Sequence, residues 1–210
     1  MRPASEFAFA PRESVWILSL VSSLLWGGCT VTETENDDTT NTFITIVSVT
    51  SEKGDFGGLE EGTDLFSDVC GADEDHPPCT LFNDNAVVTF VGRPKDISTL
   101  SSAVNDVVFE RYRVTYIRAD GRNVPGIDVP YPFDGVSSFR VPSDGTEVTR
   151  AVIVVRHQAK IESPLRELSQ AASGLLSVLA RMDFFGRDGA GRQIQVSAFL
   201  NITFADFGNE

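Results

Sequence analysis

The strongest constraint on this chain is an alternation near its C-terminal end. Ile194, Val196, Ala198, Leu200, Ile202 and Phe204 are apolar, and between them stand Gln193, Gln195, Ser197, Phe199, Asn201 and Thr203. Side chains on a strand change face with period 2, whereas an amphipathic helix repeats its apolar stripe every 3.6 residues. Six successive period-2 matches exclude the helix and require a strand with one buried face. Upstream, Val178, Ala180, Met182 and Phe184 supply a second inner row, and Gly186-Arg187-Asp188-Gly189-Ala190-Gly191 lies between the two. That order reads as a long hairpin closed by a Gly-rich loop.

The rest of the chain repeats the pattern less cleanly. Phe43–Val49 and Ala86–Gly92 are β-branched and apolar, as strands are. In Val107–Ile117, Tyr112, Val114 and Tyr116 share one face, with Arg111, Arg113 and Thr115 on the other, as in a half-exposed antiparallel strand. Pro125, Pro130 and Pro132 forbid central pairing over the next stretch and predict an edge or crossover. A short strand is expected over Ser137–Val141, then a turn at Pro142-Ser143-Asp144-Gly145. Glu147–Arg156, apolar on both faces at its centre, reads as an interior strand. Ala159–Ser173 fits either a short helix, with Ser163-Pro164 as N-cap and first helical residue, or a winding crossover. About seven strands and few helices predict an all-β fold, a single antiparallel β-sandwich.

Composition narrows the function. Acidic residues outnumber basic ones 30 to 17 in 210 residues, a formal charge of −13. A field of that sign repels phosphate backbones, so no nucleic-acid partner is expected. With two histidines, His76 and His157, and three cysteines, a histidine-rich metal centre is not expected either.

The first 28 residues read as a signal peptide. A weakly basic start with Arg2 and Arg12 precedes the apolar run Val15–Trp26, which ends in Gly27-Gly28-Cys29. This is the pattern of a secretory leader, and the run is short for a bilayer span, which takes about 20 apolar residues. Leu25-Trp26-Gly27-Gly28-Cys29 resembles the lipobox of bacterial lipoproteins, although Trp26 stands where that family usually has Leu. The resemblance implies that Cys29 becomes a lipidated amino terminus, with Thr30 after it favouring the outer membrane over the inner. A plain cleaved signal and an uncleaved anchor are the other readings. Residues 29–41 then form an acidic, threonine-rich tether. At about 3.3 Å per extended residue, its dozen residues reach roughly 40 Å. The folded domain is expected over 42–210. Its Phe185–Val196 segment, FGRDGAGRQIQV, is similar to the F-to-G type hairpin of bacterial immunoglobulin-like and fibronectin-like domains, which implies an immunoglobulin-like sandwich.

Ser51–Asn85 reads as a long irregular loop. It holds Cys70 and Cys79, which in an exported protein are expected to form a disulfide contributing about 2.5–3 kcal/mol by loop closure. It also holds Asp55, Glu60, Glu61, Asp64, Asp68, Asp73, Glu74 and Asp75. Of these, Asp64, Asp68, Asp73 and Asp75 are the weak candidates for a Ca²⁺ site, the one cofactor considered. EF-hand spacing is missing, so a solvated acidic loop is the plainer reading.

No G-x-S-x-G, H-E-x-x-H or Walker A pattern occurs, so no catalytic residue is assigned and no enzyme is expected. His157 reads as a hydrogen-bonded residue at a strand end, and Asn201-Ile202-Thr203 as an incidental glycosylation pattern. Phe199 projects on the polar side of its strand. With Tyr131 and Phe133 it is a candidate contact residue, because aromatic anchors dominate protein interfaces. The expectation is a membrane-tethered, non-catalytic envelope module contacting a protein or a glycan. The alternatives are a calcium-dependent carbohydrate-binding or enzymatic domain using the acidic loop, and an accessory subunit of an envelope complex.

Overall fold

The computed structural model describes residues 40–54, 61–69, 81–96, 98, 101–169 and 174–207, all within one compact unit, Asn36–Glu210. The fold is all-β with two sheets. The described residues form nine strands: β1 Thr42–Glu52, β2 Glu61–Gly62, β3 Asp64–Asp68, β4 Asp84–Pro94, β5 Val107–Ile117, β6 Phe133–Val141, β7 Glu147–Val155, β8 Leu175–Asp188 and β9 Gln193–Ala205. Among the described residues two short helices, α1 His157–Lys160 and α2 Leu165–Ser169, overlap the stretch Ala159–Ser173 that the sequence left ambiguous. One sheet has the order β2-β1-β4-β7 and the other β3-β9-β8-β5-β6.

The sheets share one aromatic core. Phe90 of the four-stranded sheet meets Phe109, Phe139 and Phe184 of the five-stranded sheet at centroid distances of 5.5, 5.1 and 5.0 Å. Edge-to-face and offset ring pairs at such distances add about 0.5–1.5 kcal/mol each beyond the area they bury. The predicted hairpin is present as β8 and β9, paired from Leu175↔Ala205 to Arg187↔Gln193. Buried Asp188 holds its loop by accepting from the backbone N–H groups of Ala190 (2.9 Å) and Arg192 (3.0 Å), while Gly191 takes the positive φ of 81°.

Three expectations are corrected. The architecture is not wholly antiparallel, because β3 runs parallel to β9 from Asp64↔Asn201 to Asp68↔Ala205. The stretch Ser51–Asn85 is not a continuous loop, since β2 and β3 lie within it and only Thr63 separates them as the chain changes sheets. Ser51 Oγ brackets that change by donating to the carbonyls of Gly62 (3.2 Å) and Asp64 (2.9 Å). Finally, β7 is an edge strand, and β1 and β4 are the interior strands of its sheet. The apolar centre of β7 is accounted for by what meets its edge. From the opposite sheet, Tyr116 Oη donates to the Val154 carbonyl at 2.8 Å, and the Tyr112 hydroxyl bonds the Ile153 backbone. Edge strands expose unpaired backbone groups, and here two tyrosines reach the backbone at Ile153 and Val154.

The two ends of the body differ. Where the chain enters, Thr42 Oγ1 donates to the Asn105 carbonyl (2.5 Å) and Gly189 N–H bonds the Val104 carbonyl (2.9 Å), so the start of β1 and the β8–β9 loop share one pole. From there β1 runs to the far pole, where Ser51 and Glu52 pair with β2. Eleven residues at about 3.3 Å each make that distance roughly 35 Å.

Candidate functional site

An open groove of about 550 Å³ lies at the far pole, on the outer face of the five-stranded sheet. Strand pairing explains its composition. Asp64 of β3 lies beside Asn201 of β9, which lies beside Leu179 of β8, which lies beside Ile117 of β5. The next row brings Phe66, Thr203 and Ser177 together. These are the outward residues of strands whose inward residues, Leu65, Val178, Tyr116 and Ile202, fill the core. The groove is thus the solvent half of the alternation that builds the fold.

Its polar groups are paired laterally. Asn201 Nδ2 donates to Asp64 Oδ1 at 3.1 Å, and the Ser177 and Thr203 hydroxyls share a hydrogen bond at 3.2 Å. Phe66 is 56% exposed and is held by Phe207, edge to face, with centroids 6.0 Å apart. One step along β9, Phe199 is 50% exposed beside Arg181, its ladder partner. Arg181 is engaged by Asp183 (2.8 Å), whose same oxygen also accepts from Ser197 Oγ at 2.6 Å.

Beneath the groove a buried polar cluster fixes β3. Asp84, fully buried at the start of β4, receives Lys160 Nζ at 2.9 Å, Ser67 Oγ at 2.6 Å and the Gly54 backbone N–H at 3.0 Å. Ser67 is the inward neighbour of Phe66, so this carboxylate ties the groove's outer strand to β4 and α1. Burial of both charges is tolerable because each is paired and the carboxylate accepts further donors. Close by, burial pushes the Tyr116 hydroxyl well above the usual tyrosine range, and the Asp84 charge pushes it further. Arg156 opposes that shift with its own charge and lies 4.5 Å over the Phe133 ring.

A second cleft of about 360 Å³ lies at the chain-entry end of the same face. There Arg111 stacks over Phe185 at 3.9 Å, and Arg187 bonds Glu110 at 2.6 Å. Arg187 and Glu110 thus neutralise one another, while Arg111 lies on an aromatic face.

The candidate residues fall into three groups. Phe199 and Tyr131 are exposed, Tyr131 on the loop before β6 at 51%. Phe133 is 8% exposed and packs its ring on Tyr112 at 6.4 Å, so its side chain belongs to the interior and not to a contact surface. Asp64 lines the groove, while Asp68 accepts from the Phe207 backbone N–H at 3.3 Å. Cys29, Cys70, Cys79, Asp73 and Asp75 lie outside the described residues. Among the described residues, no three His, Cys, Asp or Glu side chains come together as a metal site. His157, just after β7, bonds Asn83 Oδ1 through its backbone N–H (2.7 Å) and Nδ1 (3.1 Å).

Sequence reasoning missed Phe66, the role of Asn201 and the Asp84–Lys160 pair. Phe66 was legible in principle, since Leu65 and Ser67 flank it at period 2. The ion pair left no local signal, because its members are 76 positions apart. No protein-family model matches the chain, and no curated protein does.

Proposed function

We propose that this chain is a non-catalytic, membrane-tethered module of the bacterial envelope, an immunoglobulin-like β-sandwich that presents a binding face to a partner. The groove at the pole remote from the chain's point of entry carries this reading. A body anchored at its N-terminal end turns that pole outward, and an open cleft with an apolar floor and a few convergent polar groups is the usual form of a binding site. Two sheets packed over one core, and a long C-terminal hairpin, support the immunoglobulin-like assignment. The lipobox-like ending at Cys29 supports the tether, and Cys70 and Cys79, the other two cysteines of a chain read as exported, are proposed to pair as a disulfide. Ser67 is a serine with charged neighbours, Asp84 and Lys160. Its hydroxyl is fully buried and donates to the carboxylate, an arrangement that binds strands together and offers no access to substrate.

Intact-mass analysis of protein extracted from membranes tests the proposal. The expected chain begins at Cys29, carries acyl groups and has no free thiol, and Cys29→Ser moves the protein to the soluble fraction. Native protein in the cytoplasm with its leader intact and its thiols free would overturn it.

A further inference from the structure

We infer that the groove binds an uncharged oligosaccharide, with Phe66 as the stacking platform and Asp64 and Asn201 as the hydrogen-bonding pair. The inference rests on the reading of this chain as a binding module, and it names the class of ligand.

Charge argues first. Asp64 is the one charged side chain lining the groove among the described residues, and the chain carries −13 overall, so an anionic ligand meets repulsion and no counter-charge. The pattern of polar groups argues second. With one carboxylate oxygen taken by the Asn201 amide, the pair still offers among the described residues a carboxylate oxygen, an amide oxygen and an amide hydrogen. Leu179 and Ile117 continue that row, and the hydroxyls of Thr203 and Ser177 follow on the next, beside Phe66. A sugar has the matching surface, since its hydroxyls both donate and accept while its C–H faces are apolar. Size argues third. The cleft lies within the range of about 300–1,000 Å³ found for small-ligand sites. A protein partner of ordinary affinity covers roughly 800 Å² on each side, and interface centres are depleted of Asp and Ser, both of which line this groove.

Two features make the site rigid before a ligand arrives. Phe207 holds the Phe66 ring edge to face, and the buried Asp84 cluster pins β3 directly behind it. Ordering already complete in the unbound protein is a cost that binding avoids.

Native affinity electrophoresis tests the inference, with the full chain in mild non-ionic detergent run through gels containing starch, xylan, mixed-linkage β-glucan or galactomannan. At least one neutral polysaccharide is expected to retard the protein, with no effect of chelator or moderate salt. Phe66→Ala and Asn201→Ala, both at exposed positions, are expected to weaken retardation about tenfold, and Val136→Ala at the other end of the sheet to leave it unchanged. Thermal melting of each variant separates lost binding from lost fold. No retardation in any gel, equal retardation of the wild type and both groove variants, or cross-linking to a protein partner that Phe66→Ala abolishes would each overturn the saccharide assignment. None of these results bears on Cys29 acylation, so the tether stands or falls separately by mass analysis.

Discussion

Tyr116 is one of the most deeply buried side chains, and its hydroxyl serves a backbone carbonyl on the edge strand opposite. Desolvation raises its pKa above the 10.0 of a free tyrosine, with the Asp84 charge adding and the Arg156 charge subtracting. A folded-state pKa above the unfolded value gives stability that is complete below the unfolded pKa and drains away as pH rises past it. Stability should therefore fall above about pH 10, as the unfolded chain ionises while the folded one does not. Tyr116→Phe lessens that alkaline dependence, leaving the part that comes from Tyr112, whose pKa burial also raises, and takes from the Val154 carbonyl its Tyr116 donor, a cost of about 1–3 kcal/mol at neutral pH. Urea unfolding at pH 7 and pH 10.5 checks both effects, and a variant with an undiminished alkaline slope would show that another group is responsible. Single residues also show what the sequence reveals. Phe199 stands outward because twelve residues of strict alternation define its parity. Phe133 was misjudged because Pro132 obscured the start of β6. Counting back by twos from Val141 and Phe139, both buried, puts Phe133 on the inner face.

At the scale of elements, the same distinction separates the strands that could be read from those that could not. β8 and β9 each carry an unbroken inner row, and β5 carries one over Tyr112, Val114 and Tyr116 beyond the register shift at Phe109/Arg111, so pattern alone located them and the hairpin. β3 has only Leu65 and Ser67 on its inner face, one of them polar, and five residues in all. Its strand character comes from β9, which offers it a parallel ladder, and from Asp84, which takes the Ser67 hydroxyl. β7 was read as interior because hydropathy reports burial and not hydrogen-bonded neighbours. Val152 and Val154 are buried, yet among the described strands β7 pairs with β4 alone, and two tyrosine hydroxyls meet its backbone at Ile153 and Val154. The Asp84 cluster should accordingly be worth far more than a surface pair. Lys160→Met leaves a carboxylate buried without its cation and should cost about 3–5 kcal/mol. Adding Asp84→Asn removes the stranded charge while retaining an acceptor, and should restore about 1 kcal/mol or more. Denaturant midpoints of the single and double variants decide the point. Equal losses in the two would mean that charge has no part in how α1 holds β3.

For the molecule as a whole, the decisive relation is between the pole where the chain enters and the pole that carries the groove, a relation no local pattern contains. It follows from pairing, because β1 leaves the β8–β9 loop behind and ends beside the start of β3, roughly 35 Å away. On the proposal of an anchor at Cys29, a tether of at most roughly 40 Å joins the body at the loop end, the pole opposite the groove. Shortening the tether should affect the two poles unequally. With residues 30–39 deleted, maleimide labelling of Ala190→Cys on the β8–β9 loop should fall several-fold on intact vesicles. Labelling of Ser177→Cys in the groove should stay near its value with the full tether, each measured above the signal of the protein without the added cysteine. Both positions are exposed in the folded protein, so detergent solution should equalise them and supply the control. Equal protection of both sites on vesicles would mean that the body lies along the surface. A groove so placed could still bind small sugars, but it could not serve a polymer arriving from outside.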